Sequence, residues 1–205
     1  MSDIAEEKRT LRVKAAERRR RAHAEDFTGA LSTRMRDHAL AGLPVAAGAV
    51  VGGYWPRGTE MDVRPLLTSL HQRGHAVGLP HVRRGQPMTY HRWRPEDRLV
   101  SGVFGIEMPD FHTPAVTPDL LLLPLLAFDV RGNRLGYGAG YTDRTIAALR
   151  AHKRVVCVGV AYAVQEFETV PHDALDQRLD WVITEKEVRR IERRRFLWLR
   201  RFFGS

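Results

Sequence analysis

The chain of 205 residues is 43% apolar and carries a formal net charge of +9, enough length for one domain with a full core and a small appendage. No apolar run approaches the roughly 20 residues that span a bilayer, and the charged N-terminus lacks the apolar stretch of a secretory signal, which sets aside membrane-spanning and secreted classes. A single cysteine, Cys157, excludes an internal disulfide framework and fits a reducing, cytoplasmic setting.

Residues 3–24 hold many Lys, Arg and Glu and neither Gly nor Pro, which predicts a helix. Ile4, Leu11 and Ala15 or Ala16 form a thin apolar stripe at helical spacing. Lys8 and Arg12, at i and i+4, share a face; alone they read as charges on a solvated helix. A second helix is expected from Thr28, a candidate N-cap, to about Leu40. Val45–Tyr54 reads as a buried strand, and the turn Trp55–Glu60 follows at its C-terminal end, where open α/β sheets bind ligands. Leu66, Leu67 and Leu70 mark a helix stopped at Gly74, and His75–Leu79 is a short strand. Strand, helix, strand predicts a parallel sheet.

Residues 81–118 are rich in Pro, Gly, Arg and aromatics without helical periodicity. Met88–Trp93 alternates well enough for an edge strand, Phe104–Pro109 is expected to be an ordered loop, and the region is expected to wall a pocket. Leu120–Leu123, stopped by Pro124, is the central buried strand. A helix from Tyr141 to about His152 and a second apolar strand, Val155–Ala161, follow, with Cys157 as a core residue. Asp180–Ile183 is a short terminal strand. Thr184 and Glu187 form a candidate capping box opening a last helix through the Arg-rich end.

Between the central strand and its helix lies Gly136-Tyr137-Gly138-Ala139-Gly140. Glycines let backbone N–H groups approach a phosphate, and a helix N-terminus adds a favourable dipole. The segment lacks the Gly-Lys-Ser/Thr end of a P-loop and the third glycine of a Rossmann fingerprint, so it is either a phosphate cradle or a tight strand-to-helix connection. Arg134 is suited to neutralising phosphate charge. Asp143 is either a Mg²⁺ ligand or an acid favoured at a helix start. No nucleophilic Ser/His/Asp constellation stands out.

The run Asp129, Gly132-Asn133-Arg134-Leu135-Gly136-Tyr137-Gly138-Ala139-Gly140-Tyr141-Thr142-Asp143 resembles the signature of the 5-formyltetrahydrofolate cyclo-ligase family, also called methenyltetrahydrofolate synthetases. Lys8 with Leu11-Arg12, Tyr54–Glu60, Leu79-Pro80, Phe104–Pro109, Pro171–Asp180 and Thr184-Glu185 are similar to further family segments in the same order. The likeness covers about residues 5–185. It implies a single three-layer α/β/α domain around a mostly parallel sheet, spanning residues 1–185, with residues 186–205 as a basic amphipathic tail. It also implies an ATP- and Mg²⁺-dependent conversion of 5-formyltetrahydrofolate to 5,10-methenyltetrahydrofolate, ADP and phosphate. By resemblance, Lys8, Arg12, Arg134, Leu135, Gly136, Tyr137, Gly138, Ala139, Gly140 and Tyr141 lie at ATP, and Asp143 and Asp180 serve Mg²⁺. Trp55, Glu60, Phe104 and Tyr137 meet the folate, while Glu60, Arg134 and Tyr141 are the candidate catalytic residues.

Three positions depart from the family pattern. Thr142 stands where a second Tyr is usual, Ala139 where some members have Lys, and Leu175 where many have His; Thr142 and Leu175 leave open a related ATP-dependent ligase with another substrate. Residues 186–205 carry eight Lys/Arg against two Glu, interleaved with Phe196, Trp198 and Phe202, whereas residues 27–185 are nearly neutral. That mixture suits RNA or an anionic surface, or a terminal helix packing its aromatics on the body. The alternative to an enzyme is therefore a nucleic-acid or anionic-surface binder acting through this tail.

Overall fold

A computed structural model describes residues 2–192, apart from the side chains of residues 2, 3 and 104. In chain order the elements are α1 (Ser2–Glu25), α2 (Ala30–Gly42), β1 (Val50–Gly52), α3 (Arg64–Gln72), β2 (Ala76–His81), β3 (Thr89–Trp93), β4 (Val100–Ser101), β5 (Glu107–Met108) and β6 (Ala115–Val116). There follow β7 (Leu120–Pro124), β8 (Ala127–Phe128), β9 (Arg134–Leu135), α4 (Tyr141–Arg150), β10 (Val156–Val160), β11 (Trp181–Ile183) and β12 (Val188–Arg190).

Eight strands form one sheet in the order β12-β11-β10-β7-β1-β2-β3-β6. The five from β11 to β2 run parallel, and β12, β3 and β6 are antiparallel additions at the two edges. Strand β7 explains why the middle is parallel. Its leucines are buried on both faces, as a strand covered by helices on two sides requires. Leu120 and Leu122 pack in one core with Met35 and Ala39 of α2 and Leu66, Leu67 and Leu70 of α3. Leu121 and Leu123 pack in the other with Ile146 of α4, Cys157 and Val182. Helix, sheet, helix is the expected three-layer arrangement, and Cys157 is fully buried in it.

The connections set where a ligand fits. From β1 the chain crosses through α3 to β2 on one side, and from β7 it crosses through α4 to β10 on the other. Strands β1 and β7 are neighbours, so the winding reverses between them and their C-terminal ends open a crevice. Helix α1 reaches that crevice by packing Leu11, Ala15 and Ala16 on Leu126, Ala127, Leu135, Val170 and Phe167. Among the described residues no helix is long and apolar enough to cross a membrane.

Four local expectations change. Ile4 is exposed, and the buried line of α1 instead runs through Ala15, Arg19 and Ala22. Thr28 does not cap α2: the helix starts after Gly29, which is left-handed at φ 72°, and the Asp26 carboxylate accepts the N–H of Leu31 at 2.7 Å and of Ser32 at 3.3 Å. Strand β3 is not the edge, because β6 pairs outside it. Among the described residues no helix follows Thr184. Its hydroxyl does accept from Lys186 and Glu187, but its own N–H bonds Glu187 O at 2.9 Å, closing a turn that sends β12 back along β11. The folded body thus continues past residue 185 to the buried Ile191. Phe196, Trp198 and Phe202 lie outside the described residues.

Candidate active site

A cavity of about 400 Å³ occupies the crevice. Its floor is Leu122, Leu123 and Pro124 of β7, beside Gly53, Tyr54 and Trp55 following β1. One wall is the segment Arg134–Asp143, and opposite it lie Pro80, Val82, Met88, Tyr90 and Ile106. One half is therefore glycine, cation and carboxylate, and the other is largely apolar.

The glycine wall is held in place from behind. Asp129 is wholly buried: one oxygen accepts the N–H groups of Arg131 and Asn133 at 2.9 and 3.0 Å, the other Asn133 Nδ2 and Val170 N at 2.9 and 3.0 Å. This turn, with Gly132 at φ 79°, reverses the chain from β8 into β9 and delivers Arg134. Arg134 is almost fully buried and donates to Asp143 Oδ1 at 2.6 Å, while its Nε meets no acceptor among the described residues. Asp143 Oδ1 also accepts Gln177 N at 2.8 Å.

Beyond Arg134 the backbone enters α4 through Gly138 at φ 99° and Gly140 at φ 69°. Gly140 is the N-cap, and no side chain caps the helix. The N–H groups of Gly138, Ala139 and Gly140 meet no acceptor among the described residues. Unsatisfied donors at a helix start form an anion site. Helix α1 adds cations to it. Arg12 Nε donates to Gly136 O at 3.0 Å. Lys8 bonds both Asp173 and Asp176 at 2.6 Å. Burial opposes the Lys8 charge, yet those two carboxylates still hold its ammonium above its usual range, and Lys8 holds Asp173 below its own.

Glu60 stands where the two halves meet. It is buried, and burial raises its carboxyl pKa, although Tyr137, the Arg57 N–H and nearby arginine charges pull the other way. Tyr137 donates to Glu60 Oε1 at 2.7 Å, and Arg57 N donates to Oε2 at 2.8 Å. The same environment pushes the Tyr137 phenol up to about 12, burial first and the Glu60 charge second. Trp55 lines the cavity, braced edge-on by Trp93 at 6.1 Å, with the Arg64 guanidinium 5.4 Å from its ring. Tyr141, the first residue of α4, and Thr142 complete the rim.

The structure thus gathers Lys8, Arg12, Trp55, Glu60, Arg134–Tyr141 and Asp143 around one cavity. Phe104 lies by its backbone in the turn Val103–Gly105, and its side chain is outside the described residues. Asp180 is not brought to the cavity. It precedes β11, at the N-terminal end of the parallel strands and so at the opposite end of the sheet from the cavity, where its carboxylate accepts from Cys157 N at 2.9 Å and from Arg150, the last residue of α4, at 3.2 Å. The acid that does line the cavity beside Lys8 is Asp176, which the sequence reading passed over. Arg19 was also missed, although positions 8, 12, 15 and 19 lie on one helical face. Leu175 is exposed and does not line the cavity.

A crevice at a winding reversal, an uncapped helix start ringed by cations and an adjoining apolar slot define an α/β protein built to hold an anionic group beside a flat organic one. The model of the 5-formyltetrahydrofolate cyclo-ligase family matches residues 4–185, and the chain belongs to that family. It is 32% identical to the 5-formyltetrahydrofolate cyclo-ligase of Escherichia coli K12 over 151 residues, 71% of this chain and 82% of the relative. It is 35% identical to that of Haemophilus influenzae over 126 residues, 57% of this chain and 65% of the relative. The solved structure of Aquifex aeolicus 5,10-methenyltetrahydrofolate synthetase is similar with a TM-score of 0.75 at 32% identity, covering 93% of this chain and 95% of that one.

Proposed function

We propose that the chain is an ATP-dependent 5-formyltetrahydrofolate cyclo-ligase of the cytoplasm. The observation that carries the reading is the two-part cavity: Gly138–Gly140 at the start of α4, whose N–H groups meet no acceptor among the described residues, line the same cavity as the apolar slot and buried Glu60. The ATP phosphates would lie against the glycine segment, with Lys8, Arg12 and Arg134 balancing their charge. The reduced pterin would lie along Trp55 and Tyr90, its polar edge hydrogen-bonded to Glu60. The cytoplasmic assignment is supported by the lone buried Cys157.

The residues fit this chemistry. A formyl oxygen on N5 is a poor leaving group. Its attack on the γ-phosphorus forms an O–P bond, breaks the bond to ADP and leaves the formyl oxygen phosphorylated, with the N5 lone pair forming the iminium to the formyl carbon. N10 then adds to that carbon and loses its proton, and inorganic phosphate leaves with the former formyl oxygen, closing the methenyl ring. The protein's share is alignment and charge neutralisation. Arg134 and Tyr141 flank the transferring group, and Glu60 orients the folate. A metal ion also fits the donor set. Mg²⁺ takes one or two carboxylates and completes its shell with phosphate and water oxygens, and Asp143 and Asp176 line the same cavity. Among the described residues no cluster of three or more acidic, His or Cys side chains offers a complete protein cage, which suits a metal that arrives with the nucleotide. When bound, it would neutralise charge on the transferring phosphoryl oxygens.

Purified protein with Mg-ATP and 5-formyltetrahydrofolate is expected to generate the absorbance of the methenyl product in step with ADP release. No such signal, together with no binding of reduced folate, refutes the reading.

A further inference from the structure

Arg19 sits among Arg18, Arg20 and Arg21 on a heavily charged helix, and those three are exposed while Arg19 is buried. A guanidinium removed from water is normally paired with a carboxylate. Arg19 has none within ion-pair distance among the described residues. Its partners are neutral hydroxyls: Nε donates to Thr59 Oγ1 at 3.0 Å, and a terminal nitrogen donates to the Tyr137 hydroxyl at 2.7 Å. The guanidinium carbon also lies 5.3 Å from the centre of the Tyr137 ring. The negative charge that balances it is Glu60, one hydroxyl further on.

That order fixes a proton. The Tyr137 oxygen accepts from Arg19, so its single O–H is left to point at Glu60 Oε1. Glu60 Oε2 is held by Arg57 N. Both carboxylate oxygens are thereby oriented while each keeps lone pairs for a ligand donor. Without Arg19 the hydroxyl is free to turn, and the Tyr137 ring, half-exposed on a glycine-flanked loop, loses the contact from α1 that anchors it.

We propose that Arg19 is a positioning residue for folate: through Thr59 and the Tyr137 hydroxyl it sets the orientation of the Glu60 carboxylate that receives the pterin. This rests on the assignment of Glu60 to the folate half of the cavity. It adds a role for α1 distinct from the one given to Lys8 and Arg12: one end of the helix serves the nucleotide and the next turns serve the folate.

The test is a double-mutant cycle read in separate Michaelis constants, with thermal melting of every variant. Arg19→Met and Tyr137→Phe are each expected to raise KM for 5-formyltetrahydrofolate about tenfold, the scale of one hydrogen bond to a charged group, with KM for ATP unchanged. The double variant is expected to be no worse than Tyr137→Phe alone, because both changes break one chain. Arg19→Lys, which keeps the charge but cannot span Thr59 and Tyr137 together, should recover part of the loss. Multiplying effects in the double variant, an equal rise in KM for ATP, or a lower melting temperature with an unchanged folate KM would each overturn the proposal. A wild-type protein with no turnover and no folate binding would instead sink the functional assignment, and this role with it.

Discussion

Gly138→Ala separates the two duties of the glycine segment, backbone shape and close approach. Gly138 has φ 99°, and a Cβ placed on it would lie 3.2 Å from both the Cζ and a terminal nitrogen of Arg12. Left-handed backbone costs a residue with a Cβ about 1–2 kcal/mol. For a domain of this size each kcal/mol lowers the melting temperature by about 2–4 °C, so a fall of about 2–8 °C is expected. The contact adds a second effect. To make room, the Arg12 guanidinium must give by a few tenths of an ångström, which weakens its 3.0 Å bond to Gly136 O; outright loss of a hydrogen bond from a charged group costs about 1.5–3 kcal/mol, so a rise in KM for ATP of up to roughly a hundredfold bounds the effect. Gly48→Ala is the control. It too has positive φ, at 72°, but nothing lies within 4 Å of its added Cβ, and it does not line the cavity. Melting curves and coupled-assay kinetics of both variants decide the matter. Equal losses of stability with a wild-type KM for ATP in Gly138→Ala would show that the nucleotide does not use the Arg12 placement.

Three further outcomes are expected. Asp143→Asn and Asp176→Asn should each raise the Mg²⁺ concentration giving half-maximal rate by roughly tenfold or more, the scale of one charged contact, whereas Asp180→Asn should affect melting and leave the Mg²⁺ titration unchanged. If, as proposed, Glu60 receives folate as the carboxylate, its titration should show in the kinetics, because burial raises its pKa above the ordinary 4.5. As pH falls through that raised value the protonated fraction grows, so kcat/KM for folate should drop on an acid limb that Glu60→Gln lacks. The pairing of Lys8 with Asp173 should appear in stability against pH. Lys8 is raised above 10.5, so its contribution is full below 10.5 and lost as pH climbs through its folded value. Asp173 is lowered below 3.8, so its contribution is full above 3.8 and lost as pH falls through its folded value. Melting temperatures of wild type and Lys8→Met should thus differ by a constant amount between those limits and converge outside them.

Much of this architecture can be read from residues because local pattern and tertiary role agree. The leucine run at 120–123 is apolar at every position, as a strand covered on both faces is, and the glycines at 138 and 140 mark positions where φ is positive. Arg134 and Asp143 are near in sequence and are brought together by one turn and one helix start. What escaped depends on contacts that sequence spacing does not encode. Thr184 bonds the N–H groups expected of a helix cap, but the strand slot beside β11 wins the following residues. Asp176 and Asp180 are alike as letters. Only the path of the loop across α4 turns one toward Lys8 and the other toward Arg150. Arg19 looks like one more arginine in a basic run until packing buries it.

The pairing of Lys8 with Asp176, and of Arg134 with Asp143, has a consequence for what the cavity accepts. Each cation already has a counter-charge at hand, so a simple anion gains little by entering: it can take the cations only by depriving three carboxylates, Asp143, Asp173 and Asp176, of theirs. On the proposed reading a metal-bound polyphosphate would bring something for both sides of each pair, phosphate oxygens for Lys8 and Arg134 and a divalent cation for the acids they release. Partner exchange of this kind would make the site a reader of the complex rather than of its anion, and free ATP should then compete poorly with Mg-ATP when the two are titrated against each other.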